Sequence, residues 1–278
     1  MKSIVFPEGN DERIIKAVNI LSGKECTCIV IGIKDKISKL VSNSVKVIDN
    51  SELKGEDRNE YGVKLVLKGK ADAMISGADS KTSEVLRPAL KLLKKEGVKA
   101  SGLFHMKKEK KEILIADCAV NININSQTLK DIIIESSKTA SIFNIIPRIA
   151  VLSYSTKGSS KGESVNIVKE GTELAIKENP NLIIEGEVQA DVAVSKIVSE
   201  KKCPSCTIKG DANILIMPDL NCGNISHKLL EHIGGFKCTG PIIQGLLKPV
   251  NDLSRGCTVE QIIEVTKITV KQIKIQSK

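Results

Sequence analysis

Residues 71–88 read ADAMISGADSKTSEVLRP, and the order of their parts decides the fold. Ala71–Ser76 is short and apolar on both faces, as a strand in a covered parallel sheet should be. Ser76-Gly77-Ala78-Asp79-Ser80 is a turn of small polar residues. A helix-period stretch, Ser83–Lys95, follows and carries Arg87 beside Pro88. Strand, tight loop and helix in that order make a βα unit.

The pattern recurs along the chain. Apolar runs at Ser3–Phe6, Cys28–Gly32, Val45–Ile48, Ile113–Val120, Arg148–Tyr154, Leu182–Glu185 and Asn213–Met217 alternate with amphipathic segments. Asn10 is placed to cap a helix over Asp11–Leu21, with Ile14, Ile15, Val18 and Leu21 on one side. Further helices are expected over Ser126–Phe143, Gly162–Lys177 and Thr258–Ile275. The charged KKEKKE within Phe104–Leu114 reads as an exposed hairpin tip. Alternating β and α predicts an α/β protein with open sheets.

A chain of 278 residues suits about two domains. A boundary near Val98, with the last helix packing back on the first domain, gives 1–98 plus 244–278, and 99–243. Composition, 41% hydrophobic and 27% charged, allows a sizeable core. No run reaches the ~18 apolar residues of a membrane span. The opening MKSIVFPEGNDER lacks the apolar stretch of a secretory signal, so the cytoplasm is the expected compartment.

The net charge of +9 does not read as a nucleic-acid footprint. Aromatics are 2% and Trp is absent, so stacking platforms are scarce. Only five of the 42 basic residues are Arg, and the lysines are scattered. A diffuse positive field would steer a small polyanion instead. The eight cysteines are spread out and do not read as a disulfide framework. Cys203-Pro-Ser-Cys206 lacks the second pair a zinc ribbon needs and reads as a solvent-side loop. His105, His227 and His232 are too few and dispersed for an obvious metal cage; His227 reads as a surface or packing residue. No metal and no cofactor are expected.

The GxGxxG, GxxxxGK[ST] and GxSxG motifs are missing, which removes the main support for dinucleotide, P-loop and α/β-hydrolase readings. Two loops at strand ends remain. One is Ser76–Ser80; the other, Ser153–Lys161, reads SYSTKGSSK. Open α/β sheets bind ligands beyond the carboxyl ends of their strands, and loops with free N–H groups, hydroxyls and a helix start suit phosphate. Ser155, Thr156, Lys157, Ser159 and Ser160 are the candidate phosphate-side groups. Arg87, in so lysine-biased a chain, hints at bidentate recognition of phosphate or carboxylate.

FPEGNDER, SGADSKTSEVLRPAL, ILIADCAVNI, VLSYSTKGSSKGES, EGEVQADVAV, IMPDLNCGNISHKL and GPIIQGLLKPVNDLSRGC run in order from end to end. In these the chain resembles the phosphate acetyltransferases (phosphotransacetylases), within the phosphate acetyl/butyryltransferase group. The resemblance implies two α/β domains like those of isocitrate/isopropylmalate dehydrogenase, an active cleft between them, and a homodimer. It implies acetyl-CoA + phosphate ⇌ acetyl phosphate + CoA, with these small molecules as the partners. By resemblance, Arg87 matches a substrate-binding arginine.

In that chemistry a thiol loses its proton and attacks a carbonyl. Ser254 can donate to the thiolate or the developing oxyanion, and Arg255 can hold phosphate or offset charge. Cys257 raises a covalent rival mechanism, but CoA already brings a thiol, so direct transfer is favoured and Cys257 reads as packing. Members of the family usually carry an Asp seven residues after the motif serine, as a base. Here that position is Gln261, and Thr258 and Gln261 form a capping-box pattern. Glu260 is the candidate replacement. The chain is also short between Val47 and Ala71, where the family usually carries another substrate-binding arginine; Arg58 is the only one here. These departures favour a rival reading, a non-catalytic protein that binds CoA or acetyl phosphate; a further alternative, differing only in pocket volume, is an enzyme for longer acyl chains such as butyryl.

Overall fold

The computed structural model describes residues 1–276. They divide into two compact units, residues 1–96 with 246–276, and residues 97–245. The chain opens with β1 (Ser3–Phe6), α1 (Glu12–Leu21), β2 (Thr27–Gly32), α2 (Lys34–Ile37), β3 (Lys46–Asp49), α3 (Arg58–Leu67), β4 (Ala73–Ser76) and α4 (Thr82–Leu92). The second unit holds β5 (Ser101–Lys108), β6 (Lys111–Ala116), α5 (Ser126–Ala140), β7 (Arg148–Leu152), α6 (Glu163–Glu178) and β8 (Ile183–Val188). It continues with α7 (Ala190–Val194), α8 (Lys196–Lys202), β9 (Ile214–Ile216), α9 (Leu220–His232) and β10 (Lys237–Gln244). The chain then returns to the first unit with β11 (Val250–Asp252) and α10 (Val259–Gln276).

The first unit is a five-stranded, all-parallel sheet in the order β11-β4-β1-β2-β3. Ile4, Val5 and Phe6 of β1 and Ala73, Met74 and Ile75 of β4 are fully buried, as strands covered on both faces must be. Ile14, Ile15, Val18 and Leu21 all face the core from α1. Because β1, β4 and β11 are parallel neighbours, the loops leaving their carboxyl ends share one edge of the sheet. Those loops carry FPEGNDER, SGADS and LSRGC.

The second unit is a six-stranded mixed sheet, β10-β5-β6-β9-β7-β8. β5 pairs antiparallel with β10 and β6, and the remaining pairs are parallel. One apolar layer gathers Leu103, Leu114, Ile132, Ile133 and Val151; a second gathers Met106, Ile115, Leu152, Val192 and Met217. The KKEKKE run does form a hairpin tip, with Glu109 in the left-handed region (φ 53°). No helix among the described residues is long and apolar enough to cross a membrane.

Three details differ from the sequence reading. Asp11, not Asn10, caps α1 by accepting from Arg13 N; Asn10 Oδ1 instead accepts from Ile33 N at 3.1 Å. The strands β10 and β11 have no counterpart among the runs read from sequence. Cys203 and Cys206 are joined by a disulfide and buried rather than forming a solvent-side loop. The turn after α8 folds both sulfurs against Val192, Ala193 and Ile208, where cysteine packs as a small hydrophobe.

Candidate active site

Glu8 lies just past β1 and is 1% exposed. Its carboxylate accepts from four consecutive backbone N–H groups: Gly77 (2.8 Å), Ala78 (2.7 Å), Asp79 (3.1 Å) and Ser80 (2.7 Å). Hydrogen bonds to a charged acceptor contribute about 1.5–3 kcal/mol each, so Glu8 locks the loop after β4. The amides that the sequence offered to a phosphate are already taken by an internal anion. Arg58 braces the same loop, donating to Asp79 Oδ2 at 2.8 Å and Ser80 Oγ at 3.2 Å.

Arg13 then ties three loops together. Its Nη2 donates to Asp11 Oδ2 at 2.7 Å and Ala78 O at 2.6 Å. Its Nη1 donates to Arg255 O at 2.7 Å and Cys257 O at 3.0 Å. A planar fork with fixed donors can serve this many acceptors at once, which lysine cannot. Sequence reading placed FPEGNDER in the family pattern but gave Arg13 no role; the rarity of arginine was the available signal.

The turn so anchored holds Ser254, Arg255 and Gly256 exposed at the end of β11. Ser254 Oγ accepts from Gly256 N at 3.3 Å, leaving the hydroxyl proton free to donate. Thr258 and Gln261 form the expected reciprocal cap: Gln261 Oε1 accepts from Thr258 N at 2.9 Å, and Thr258 Oγ1 from Gln261 N at 3.3 Å. Gln261 is therefore turned back on its own helix start. Glu260 is exposed, and its own backbone N–H, with the Thr258 hydroxyl, holds its carboxyl below the usual range. Cys257 is buried; burial pushes its thiol up, while the Arg13 charge opposes the rise. A protonated, buried thiol fits packing better than nucleophilic attack.

The five arginines fall into two groups. Arg13, Arg58 and Arg148 are committed to internal carboxylates and carbonyls. Arg87, exposed on α4, and Arg255 have guanidinium groups without a hydrogen-bond partner among the described residues. Both belong to the first unit, and both are candidate substrate cations.

Asp252, two residues before Ser254, was missed by the sequence reading. It is 1% exposed, and its Oδ1 is buried without a partner. Burial first, then the nearby Glu8 charge, raise its pKa to about 7, against a lowering hydrogen bond from Thr82.

In the second unit, the loop after β7 is organised around another buried carboxylate. Glu187 Oε1 accepts from Ser155 Oγ at 2.9 Å and Gly158 N at 2.7 Å. Ser155 is fully buried, and Thr156 Oγ1 accepts from Gln189 N at 3.0 Å, so these two hydroxyls brace the loop from inside. Lys157 pairs with Glu185. Ser159 is exposed with its Oγ accepting from Thr156 N at 3.0 Å, and Ser160 N donates to Ser155 Oγ. The structure thus separates Ser155 and Thr156 from the more accessible Lys157, Ser159 and Ser160.

Residues 45–270 match the family model described as phosphate acetyl/butaryl transferase. A phosphate acetyltransferase of Bacillus subtilis is 42% identical over 303 residues, covering 97% of this chain and 94% of that protein. A phosphotransacetylase structure from Streptococcus pyogenes superposes with a TM-score of 0.92 at 38% identity, covering 98% of this chain and 94% of the other. The fold extends to a 4-hydroxythreonine-4-phosphate dehydrogenase from Klebsiella pneumoniae (TM-score 0.61, 14% identity, 98% of each chain), as expected of an isocitrate/isopropylmalate dehydrogenase-like architecture. By sequence and structure alike, the chain belongs to the phosphate acetyl/butaryl transferase family.

Proposed function

We propose that the chain is a phosphate acetyltransferase, moving an acetyl group reversibly between CoA and inorganic phosphate by direct transfer in a ternary complex. The observation that carries the reading is the pair of uncommitted arginines, Arg87 and Arg255, on a first unit whose other two arginines are bound to internal carboxylates. Substrates rich in phosphate supply the anions those two lack.

In the acetyl-CoA direction, the CoA thiol gives its proton to Glu260, and the thiolate attacks the carbonyl carbon of acetyl phosphate. The new C–S bond leaves negative charge on the carbonyl oxygen, and the Ser254 hydroxyl donates to it. Collapse breaks the carbon–oxygen bond to phosphate, which leaves as an anion held by Arg255 through charge-assisted hydrogen bonds. Arg87 binds substrate phosphate. Lys157, Ser159 and Ser160 serve the phosphate side, with Ser155 and Thr156 holding their loop in shape. The lowered pKa of Glu260 keeps it ionised at neutral pH, at the cost of strength as a base.

The same reading includes a cytoplasmic homodimer. Ile225 and Leu229 on α9 and Ile233 just past its end, at helical spacing, are exposed at 56%, 51% and 80%, and supply an apolar face for a second copy. Light scattering on the purified chain tests the assembly.

The activity is tested by following thioester formation from CoA with acetyl phosphate and, separately, butyryl phosphate. Acetyl-CoA formation outpacing butyryl-CoA is expected. Faster butyryl transfer would assign the longer-chain activity, and no thioester from either would leave a protein that only binds CoA.

A further inference from the structure

Among residues not assigned to acyl transfer, three chemically unlike ligand groups converge where α9 ends and β10 begins. His227 and Glu231 are four residues apart on α9, so both project from one face of the helix. Cys238 is the second residue of β10. An imidazole nitrogen, a carboxylate oxygen and a thiol sulfur lie here within 4.8 Å of one another.

The arrangement is held in place before any ion arrives. His227 is 5% exposed and its ring stacks on Phe104, with centroids 4.1 Å apart and planes 14° from parallel. Its Nδ1 lies 4.0 Å from Cys238 Sγ, and neither atom has a closer hydrogen-bond partner among the described residues. Glu231 is half-buried and stands at the solvent side of the cluster, where an ion would enter. A tetrahedral zinc with Zn–S of about 2.3 Å and Zn–N of about 2.0 Å sets its nitrogen and sulfur ligands about 3.5 Å apart. The His227–Cys238 pair needs to close by about half an ångström, and the Glu231 oxygen, within 4.8 Å of both, by about an ångström or a little more at most.

We propose that His227, Glu231 and Cys238 form a three-ligand site for zinc or a similar borderline divalent cation, with the fourth position open to water. Nitrogen, sulfur and oxygen donors in one tetrahedral set favour such an ion over calcium or magnesium, which take oxygen ligands. Coordination replaces the thiol proton of Cys238, which leaves to solvent. The ion would join the last turn of α9 to β10 and so stabilise the second unit.

Cobalt(II) titrated into the full chain tests the site, because thiolate ligation gives a charge-transfer band in the near ultraviolet. The expected result is a band that saturates at one equivalent and is displaced by zinc. Cys238→Ser should abolish it, and Cys222→Ser, which removes an exposed thiol four residues after Pro218, should leave it. Glu231→Gln, at a partly exposed position that tolerates substitution, should weaken cobalt binding by about tenfold or more. A band lost in Cys222→Ser, retained in Cys238→Ser, or absent at one equivalent overturns the proposal. Should Cys238→Ser fail to fold, unchanged affinity in Glu231→Gln overturns it equally.

Discussion

Thr82 donates its hydroxyl to Asp252 Oδ2 at 2.7 Å, joining the first turn of α4 to the end of β11. The helix that carries Arg87 is thereby tied to the strand that presents Ser254. Leu253 N donates to Ser76 O at 2.7 Å and completes the seam. Asp252 is held at a pKa of about 7 against an ordinary value of 3.8. A folded-state pKa above the unfolded one means that the fold holds the proton more tightly. The resulting stabilisation is fully present below the unfolded value and is lost as pH rises through the folded one. Asp252→Asn keeps an acceptor for Thr82 and cannot ionise. Its melting temperature should gain on the parent's between about pH 4 and pH 7, by roughly 3 °C or more at the upper end. Parallel curves would show that the carboxyl is not titrating in that window.

Substitutions at the candidate cations should separate binding from chemistry. Arg87→Lys keeps the charge and loses the fork; it should raise the KM for CoA or phosphate with a smaller change in kcat. Ser254→Ala and Arg255→Ala should lower kcat by about tenfold or more if they stabilise the transition state. Steady-state kinetics on the purified variants decides, and unchanged kcat in either removes that residue from the mechanism.

Glu260 and Gln261 offer a reciprocal test of the base. Glu260→Gln should depress turnover, most clearly at low pH where little free thiolate is present. Gln261→Asp places a carboxylate at the third position of α10, where it can still cap the helix start and complements the helix dipole. It should raise turnover, with at most a small change in melting temperature. Equal rates in both variants would mean that CoA loses its proton elsewhere.

Gly77 tests how tightly the loops are fitted. Its φ is +109°, and a Cβ there would meet Asp252 Oδ1 at 2.2 Å and Leu253 N at 2.7 Å. Gly69 also has a positive φ, +69°, but a Cβ would meet nothing within 4 Å. Gly77→Ala should therefore cost more than Gly69→Ala, by about 1–3 kcal/mol in urea unfolding, and should also lower activity. Equal costs would mean that backbone strain alone, and not the contact with Asp252, sets the penalty.

The parts of the fold that were legible in sequence are those with local signals. The apolar runs of β1, β2, β4 and β7 and the face of α1 announce themselves by composition and period. β10 and β11 did not. The segment Lys237–Gln244 contains Gly240-Pro241 and a register shift against β5, and a proline argues against a strand unless the strand lies at an edge, as β10 does. β11 is three residues long and gains its identity only by pairing with β4, more than 170 residues earlier in the chain. In the candidate site, Ser254, Arg255 and Arg87 could be named as candidates from motif and residue type alone. Glu8, Arg13 and Asp252 were not, since their roles rest on contacts between loops distant in sequence. The buried disulfide escaped notice because a CxxC in a polar connector gives no sign of which way its sulfurs point.

The placement of β11 bears on how the molecule is made. The second unit is one continuous stretch and can complete its sheet as soon as β10 has been synthesised. The first unit cannot: β11, an edge strand of its sheet, and the Arg255 and Cys257 carbonyls that Arg13 engages come only after the whole second unit. During translation the early strands must wait, with the β4 edge bare, while more than 170 residues pass between them and their missing neighbour. A chaperone that shields a naked strand border would find its target there.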